Sequence, residues 1–220
     1  MTTPRTHYLH HRIECEPLAW QAVATALASK TSALEAANGL LYGIWRSQIG
    51  QPRDTLNAIT VWGDDASSAG IAFMELLNAT DRVRAHDTTA MKPTLRPLND
   101  TPPRRQGNFA FRWFETPRQN WREFLDLCEQ AWPGFEASYD SQVIGLWKVE
   151  DASAPQVVRS LLMTRRPDLA MWERSKIPQG EAETAVREKL SRRYDLCTST
   201  HVYTTTLLTA EDREDRERWT

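Results

Sequence analysis

The sequence predicts an α+β fold made of two tandem β-α-β-β-α-β units, whose antiparallel sheets pack together into an α-β barrel. Three observations lead to this prediction. Gly43–Arg46 (GIWR) recurs about 102 residues later as Gly145–Lys148 (GLWK), and similar segments at a fixed offset indicate a duplicated unit. Strand and helix patterns follow the same order in both halves. The strands of the second half are apolar on both faces.

The same offset aligns further pairs, namely Asn38-Gly39 with Asp140-Ser141, His7–Leu9 with Phe109–Phe111 and, one residue out of step, Trp20 with Trp121. Two copies with a period near 100 residues indicate tandem domains rather than a solenoid. The predicted boundaries are a first unit at 1–98, a linker at 99–107, a second unit at 108–209 and a charged tail at 210–220. The linker is assigned because it contains Asn99-Asp100, Pro102-Pro103 and Arg104-Arg105.

In the first unit, strands are predicted at about 6–14, 40–49, 55–62 and, more weakly, 84–98. An apolar stripe from Trp20 to Ala37 predicts one helix, with Pro17 near its start and Asn38-Gly39 as its C-cap. Asp64-Asp65 is a predicted cap for a second helix that carries Ala69 to Leu77.

In the second unit, strands are predicted at 108–115, 142–149, 156–164 and 197–208. Thr116–Gln119 has the pattern of a capping box, with Pro117 at the first helical position, and Pro133-Gly134 is expected to weaken or break the helix that follows. Asp168 is predicted to start another helix, which resumes from Glu181 to Tyr194. Each half therefore has the element order of the split-βαβ, ferredoxin-like unit, with both helices on one face of the sheet.

The predicted strand at 108–114 does not alternate between apolar and polar residues. One face carries Phe109, Phe111 and Trp113, and the other carries Ala110, Arg112 and Phe114. Two helices cover only one face of a sheet, so we expect the other copy's sheet or a partner chain to cover the second face. This arrangement predicts a cavity between the sheets. The alternative is that the segments are ordinary buried strands without a cavity.

The composition is typical of a globular protein, with 40% hydrophobic and 25% charged residues. The net charge of −2 gives no reason to expect nucleic acid as a partner, and no apolar run is long enough for a membrane span. Three widely spaced cysteines without a CxxC pair indicate free thiols in a reducing compartment. With no signal-peptide pattern at the start, these features predict a cytoplasmic protein.

Two segments carry a family resemblance, the glycine-bearing strand and turn Gly39–Gly50 and the following strand Thr55–Trp62. They resemble NIPSNAP-type proteins of the dimeric α-β barrel superfamily. The second copy keeps Ile144–Trp147 but has Leu162–Thr164 where the pattern has a strand ending in tryptophan. The resemblance implies association through the sheets, hence a homodimer. It implies no single activity, because the superfamily includes cofactor-free monooxygenases, haem enzymes and members without known chemistry.

Histidines are the first candidates for metal or cofactor ligands. His7 and His11 share one face of the first strand, but residues at that spacing lie roughly 13 Å apart, too far to bind one metal ion. Haem-binding relatives hold iron through a histidine on a helix, and none of the five histidines falls on a predicted helix. The sequence therefore predicts no metal and no cofactor, and haem is disfavoured.

His201 on the last strand is the candidate catalytic residue, as a general base, because imidazole titrates near neutral pH. Its alternatives are a solvated edge position or a hydrogen-bonded core histidine. The candidate ligand-binding residues are aromatic or basic side chains on predicted strands, namely Trp45, Arg46, Arg112, Trp113, Trp147 and Tyr203. Arg187, Lys189, Arg192 and Arg193, interspersed with glutamates, are interpreted as a solvated helix face.

Together these patterns predict a NIPSNAP-like protein that binds a small hydrophobic or aromatic ligand in the barrel interior. A cofactor-independent monooxygenase is the enzymatic form of this hypothesis. The alternative is a non-catalytic interaction or structural module with filled cores.

Overall fold

The computed structural model describes residues 5–63, 66–78, 80–151 and 153–213. In the first half the elements are β1 (His7–Cys15), α1 (Trp20–Ala28), α2 (Thr31–Ala36), β2 (Gly39–Ile49), β3 (Thr55–Trp62), α3 (Ala66–Asn78) and β4 (Val83–Pro93). The second half contains β5 (Asn108–Pro117), a 3-10 turn (Arg118–Asn120), α4 (Trp121–Tyr139), β6 (Gln142–Val149), β7 (Val157–Arg166), α5 (Leu169–Arg174), α6 (Glu181–Asp195) and β8 (Ser199–Leu207). The predicted cap Asp64-Asp65 lies outside the described residues.

The strands form antiparallel sheets with the strand order β4-β1-β3-β2 in the first half and β8-β5-β7-β6 in the second. This order, with helices in both crossovers, is that of the ferredoxin-like unit. The predicted α+β class with two ferredoxin-like copies is therefore confirmed. None of the helices in the described ranges is long and apolar enough to cross a membrane.

Contacts group the chain into two compact units. Of the described residues, the first unit comprises those from 5 to 92, the segment 99–106 and the segment 205–213, and the second unit comprises 93–98 and those from 107 to 204. The segment predicted as a linker contacts the first unit, because Asp100 forms an ion pair with Arg5 at 3.1 Å and the carbonyl of Asn99 accepts a hydrogen bond from the Tyr8 hydroxyl. The division into folding domains at 98, 107 and 209 stays a prediction.

The recurring glycine and tryptophan of the two copies have one structural cause. Gly43 and Gly145 each follow a bulge, and they pair with Ile59 and Met163, respectively. A side chain at either glycine would collide with the ring of the tryptophan two residues later. The strand therefore requires glycine there, because both tryptophan rings are fully buried.

The strand registers correct one part of the predicted alignment. His7 pairs with Trp62 in the first sheet, and Asn108 pairs with Arg166 in the second. His7 therefore corresponds to Asn108, not to Phe109 as the constant offset predicted. The reason is that the helical connection between the first two strands is one residue longer in the second unit. His11 consequently corresponds to Arg112.

Helix boundaries in two places differ from the prediction. The single helix predicted from Trp20 to Ala37 is divided into α1 and α2. The capping box at Thr116–Gln119 is wrong, because β5 continues to Pro117 and α4 begins at Trp121 without a side-chain cap. Ladder pairing of Pro117 with Val157 extends the strand through this segment.

The predicted break at Pro133-Gly134 is also wrong, since α4 runs through both residues to Tyr139. Tertiary packing overrides the local preference here. Five apolar residues and a tyrosine bury one face of the helix, namely Phe124, Cys128, Ala131, Trp132, Phe135 and Tyr139. Gly134 lacks the side chain that would collide with Val186 of α6, so it permits close packing of the two helices.

Both faces of the second sheet are buried, as the strand pattern predicted. Phe114 and Leu162 pack with Phe124 and Trp132 of α4 on the helix-covered face. Phe109, Phe111 and Met163 point to the opposite face and are fully buried as well. The absence of polar alternation along β5 follows from this double burial.

Candidate functional site

A cavity of about 280 Å³ opens on the helix-covered face of the second sheet, between the strands β5 and β7 and the helices α4, α5 and α6. Its lining is basic and aromatic. The basic side chains are Arg112, Arg166, Lys176, Arg187 and Arg193. The aromatic side chains are Trp132, Phe135, Trp172 and Tyr194. No acidic side chain among the described residues lines this cavity.

The strand register brings two of the arginines to the cavity. Side chains two apart on a strand share a face, so Arg112 on β5 and Arg166 on β7 point to the same side as Thr164. Arg166 Nη1 donates a hydrogen bond to the Thr164 hydroxyl at 3.0 Å. Arg193 reaches the cavity from α6 and is only 3% exposed.

Aromatic rings hold the guanidinium groups. The Arg166 guanidinium carbon lies 4.8 Å from the centre of the Trp172 ring and 5.1 Å from that of Phe135. Arg112 and Arg193 lie 5.3 and 5.2 Å from the Tyr194 ring, respectively. A cation–π contact uses the charge and the flat face of a guanidinium, so N–H groups at its edge stay available to an additional partner.

The arginines of the cavity pair with no acidic side chain in the part of the chain that the structure describes. Arg112, Arg166 and Arg193 form no ion pair with any carboxylate in the described ranges, whereas Arg174, just outside the cavity, pairs with Glu183 at 2.6 Å. Arg193 Nη1 donates to a soft acceptor, Sγ of Cys128, at 3.6 Å. A buried cation without an anion is unfavourable, which makes this cluster a site that favours an anion.

The pKa values reflect the same crowding of positive charge. Desolvation lowers the pKa of Arg166 to about 10, and the like charge of Arg112 acts in the same direction. Desolvation also lowers the pKa of Arg112, and so do the charges of Arg193 and Arg187. Arg112 and Arg166 stay protonated at neutral pH, so the cavity is cationic there.

The equivalent place in the first unit is filled and neutral. His11 and Trp62 occupy the register positions of Arg112 and Arg166, and both are fully buried. The His11 ring stacks on Phe73 with centroids 3.6 Å apart, and its Nε2 hydrogen-bonds the Thr60 hydroxyl at 2.9 Å. Burial lowers the pKa of His11, which keeps the ring uncharged. Equivalent positions therefore belong to a filled core in the first unit and to a cavity in the second.

Of the residues predicted from the sequence, Arg112 alone lines this cavity. Trp113 and Tyr203 lie on the opposite face, where Trp113 Nε1 donates to the Tyr203 hydroxyl at 3.4 Å. His201 is exposed beside them, its ring centre 6.4 Å from that of Trp113, and partial burial lowers its pKa. The predicted general base is thus not positioned in the cavity.

The remaining predicted residues lie elsewhere. Trp45 and Trp147 are fully buried beside their glycines, and the Arg46 guanidinium lies 4.0 Å from the centre of the Trp20 ring in the first unit. The solvated face predicted around Arg193 is wrong for that residue, because its side chain is buried between α4 and the sheet. One sequence signal could have indicated this burial. Arg193 lies four residues before Cys197, on the side of α6 that faces the sheet. Trp172 and Arg166 were missed without a comparable signal.

No family model matches the chain, and no curated protein matches it in sequence. Solved structures do. A provisionally assigned monooxygenase from Lactobacillus acidophilus NCFM has a TM-score of 0.55 at 13% identity, over 93% of this chain and 97% of the other. A chlorite dismutase variant from Candidatus Nitrospira defluvii has a TM-score of 0.60 at 7% identity, over 92% and 90%. A heme-binding protein from Thermus thermophilus has a TM-score of 0.52 at 12% identity, over 94% and 95%.

The chain has the fold of the dimeric α-β barrel proteins. At these identities the likeness shows the fold alone. The narrower NIPSNAP resemblance stays a prediction.

Because one of these structures binds haem, the donor groups of the cavity bear on whether it could hold haem too. Haem iron is held by histidine, cysteine, methionine or tyrosine. The described lining contains no histidine, cysteine or methionine, and its one tyrosine, Tyr194, is in contact with Arg112 and Arg193. The five histidines lie on β1, β4 and β8. The residues of this cavity do not fit haem. No group of His, Cys, Asp or Glu in the described part of the chain is arranged to hold a metal ion.

Proposed function

We propose that the protein binds a small organic anion in the cavity of the second unit. The observation that carries this proposal is a cluster of arginines, held by aromatic rings and without acidic partners in the described ranges, around an open space. Guanidinium groups bind carboxylate, phenolate or phosphate oxygens through paired N–H donors. Such bonds are stronger in a site that excludes water.

The binding site differs in position from the one predicted from the sequence. The sequence predicted a ligand between the sheets, whereas this cavity lies under the helices of the second unit. The ligand class remains similar, because the aromatic and aliphatic lining suits an apolar body. Binding inside the barrel stays a prediction.

A direct test is native mass spectrometry of the protein purified from its own host, together with a variant that fills the cavity. Ala110 lines the cavity, and Leu9 stands at its register position in the first unit. Ala110→Leu should therefore remove a co-purified ligand while leaving the fold intact. Ala170→Leu, an equal enlargement at an exposed position of α5, should retain it. Retention of the ligand by Ala110→Leu would show that it binds elsewhere.

A second candidate function is cofactor-independent oxygenation of the bound compound. Its support is the fold shared with a provisionally assigned monooxygenase and a cationic cavity that would stabilise the anion of an electron-rich substrate. In such a reaction a hydroxyaromatic substrate supplies all four electrons. Its anion reduces dioxygen, one oxygen atom enters the ring as a quinone carbonyl, and the other leaves as water with the two hydrogens that the substrate loses. The arginines would favour the first step by lowering the pKa of the substrate.

Oxygen uptake with hydroxyaromatic compounds tests this second candidate. We expect uptake that depends on the protein and decreases at least tenfold in Arg112→Gln, on the order of 1.4 kcal/mol in the barrier. His201→Ala should have no effect on it, because His201 lies on the opposite face of the sheet. Binding without oxygen uptake would leave the protein a ligand carrier or sensor.

The alternative of an interaction module with filled cores agrees with the first unit but not with the open cavity of the second. Homodimer formation and a cytoplasmic location stay predictions. Size-exclusion chromatography with light scattering tests the former.

A further inference from the structure

We infer that the ligand of the second-unit cavity is a small aromatic acid that carries at least two oxyanions, recognised by Arg112 and Arg166. This inference rests on the proposed function and names the chemistry of its ligand.

The number of uncompensated cations sets the charge of the ligand. Arg112, Arg166, Arg187 and Arg193 line one cavity and form no ion pair with a carboxylate among the described residues, whereas Lys176 pairs with Glu173 at 2.8 Å. One carboxylate would leave most of this charge unpaired. Two oxyanions can engage the two strand arginines together, while Arg193 remains held by Tyr194 and Phe114 at 5.2 and 5.0 Å.

The walls and the volume set the body of the ligand. Trp132, Phe135 and Leu162 provide apolar surface in the same lining as the cations. An apolar cavity of about 150 Å³ is sufficient to bind benzene. The observed 280 Å³ therefore accommodates one aromatic ring with two acidic substituents, and it is small for a larger ring system.

A comparison of the two units supports the same conclusion independently of the cavity volume. Three of the positions that differ on this face have a smaller or a charged side chain in the second unit, whereas Ala58 is replaced by the larger Leu162. Leu9 becomes Ala110, His11 becomes Arg112 and Trp62 becomes Arg166, by strand register. Thr60 and Thr164 occupy equivalent positions, and both accept a hydrogen bond from the side chain two residues later. The donor is Trp62 in the first unit and Arg166 in the second. The second unit thus retains the scaffold and replaces a neutral core with an anion site.

The test is calorimetric titration of the full-length protein with four probes, namely phthalate, benzoate, benzamide and inorganic phosphate. We expect phthalate to bind best, benzoate about 10-fold more weakly and benzamide more weakly still, since each charged hydrogen bond contributes on the order of a tenfold change. Phosphate should bind more weakly than phthalate because it does not use the apolar walls. The phthalate affinity should decrease as NaCl is raised.

Arg112→Gln should reduce phthalate affinity about 10- to 100-fold, and Arg192→Gln should not. Arg192 is a matched control, because it neighbours Arg193 on α6 but pairs on the surface with Glu123. A purely structural arginine would destabilise the protein when neutralised. Here the ligand-free Arg112→Gln protein should melt at or above the wild-type temperature, because one of several repelling charges is removed.

Equal affinity for phthalate and benzoate would overturn the inference and leave the proposed function intact. Phthalate binding that survives both Arg112→Gln and Ala110→Leu would overturn the proposed function, because the ligand would then lie outside the cavity. If none of the acids binds, the inference is wrong, and the mass spectrometry of the host protein decides the proposed function alone.

Discussion

Arg166 occupies in the second unit the strand position that Trp62 occupies in the first, and each side chain donates a hydrogen bond to the threonine two residues before it. The distances are 3.0 Å to Thr164 and 2.7 Å to Thr60. One polar contact has thus been retained while a fully buried indole is replaced by a guanidinium. This replacement distinguishes the filled core of the first unit from the cationic cavity of the second.

Restoring the indole should close the cavity. A side chain at Gly39 would collide with Trp62, and Ser141 stands at the position of Gly39 in the second unit. Arg166→Trp alone should therefore be strained, and Ser141→Gly should relieve that strain. In a double-mutant cycle followed by chemical denaturation, we expect a favourable coupling of about 1–2 kcal/mol. Additive effects would show that the two units do not share this packing.

Ligand binding should depend on the protonation of Arg166. Its pKa is lowered to about 10 by desolvation and by Arg112, so the free protein loses this charge at a lower pH than the unfolded chain does. Phthalate affinity should be constant from about pH 7 to 9 and decrease above about pH 10, by at most about tenfold per pH unit. Titration calorimetry across this range checks it. The Arg166→Gln protein should bind phthalate more weakly, and its affinity should not decrease above about pH 10.

Gly145 should be a strict requirement of the second unit. Gly145→Ala would place a methyl group against the buried ring of Trp147, and we expect it to lower the free energy of unfolding by about 1–3 kcal/mol. Gly70→Ala is the control, because no atom lies within 4 Å of a side chain at this helical position. It should stabilise the protein by about 0.5–1 kcal/mol. Equal effects of both changes in urea denaturation would contradict the packing described for Trp147.

Acid should destabilise the first unit through its buried histidines. Desolvation lowers the pKa of His10 to about 4, although Asn57 opposes this, and it lowers the pKa of His11 well below its usual value. Because these folded pKa values are depressed, the unfolded chain takes up protons first as pH falls below about 6.5. Stability present above that pH is therefore lost between about pH 6.5 and 4, on the order of 3 kcal/mol for His10.

The measurement for this loss is urea denaturation at several pH values. His10→Asn should flatten the pH dependence, whereas His86→Gln, which removes a half-exposed histidine of β4, should change it far less, because desolvation is the main cause of both lowered pKa values. A wild-type stability that stays constant from about pH 7 to 4 would contradict the neutral, buried state of the two rings.

The sequence by itself determined the duplication, the element order and most strand boundaries. Thr55–Trp62 and Gln142–Val149 match their predicted bounds, because strand periodicity and turn residues are local signals. The glycine and tryptophan repeat was visible for the same reason, since both residues act within one strand. Arg112 was recognised because a cation in an apolar strand requires a partner wherever that strand lies.

Only the tertiary structure decided where α4 ends and which cations meet. Pro133 stays inside a helix because packing of Phe124, Cys128 and Trp132 against the sheet outweighs its local preference. Arg166 and Arg193 are distant from Arg112 in sequence, and their convergence depends on strand register and on the docking of α6. The helical connection after the first strand is one residue longer in the second unit. The constant sequence offset therefore aligns Arg112 with His10, whereas the strand register aligns it with His11. Only the strand pairing shows that the buried His11 and the cavity-lining Arg112 occupy equivalent positions.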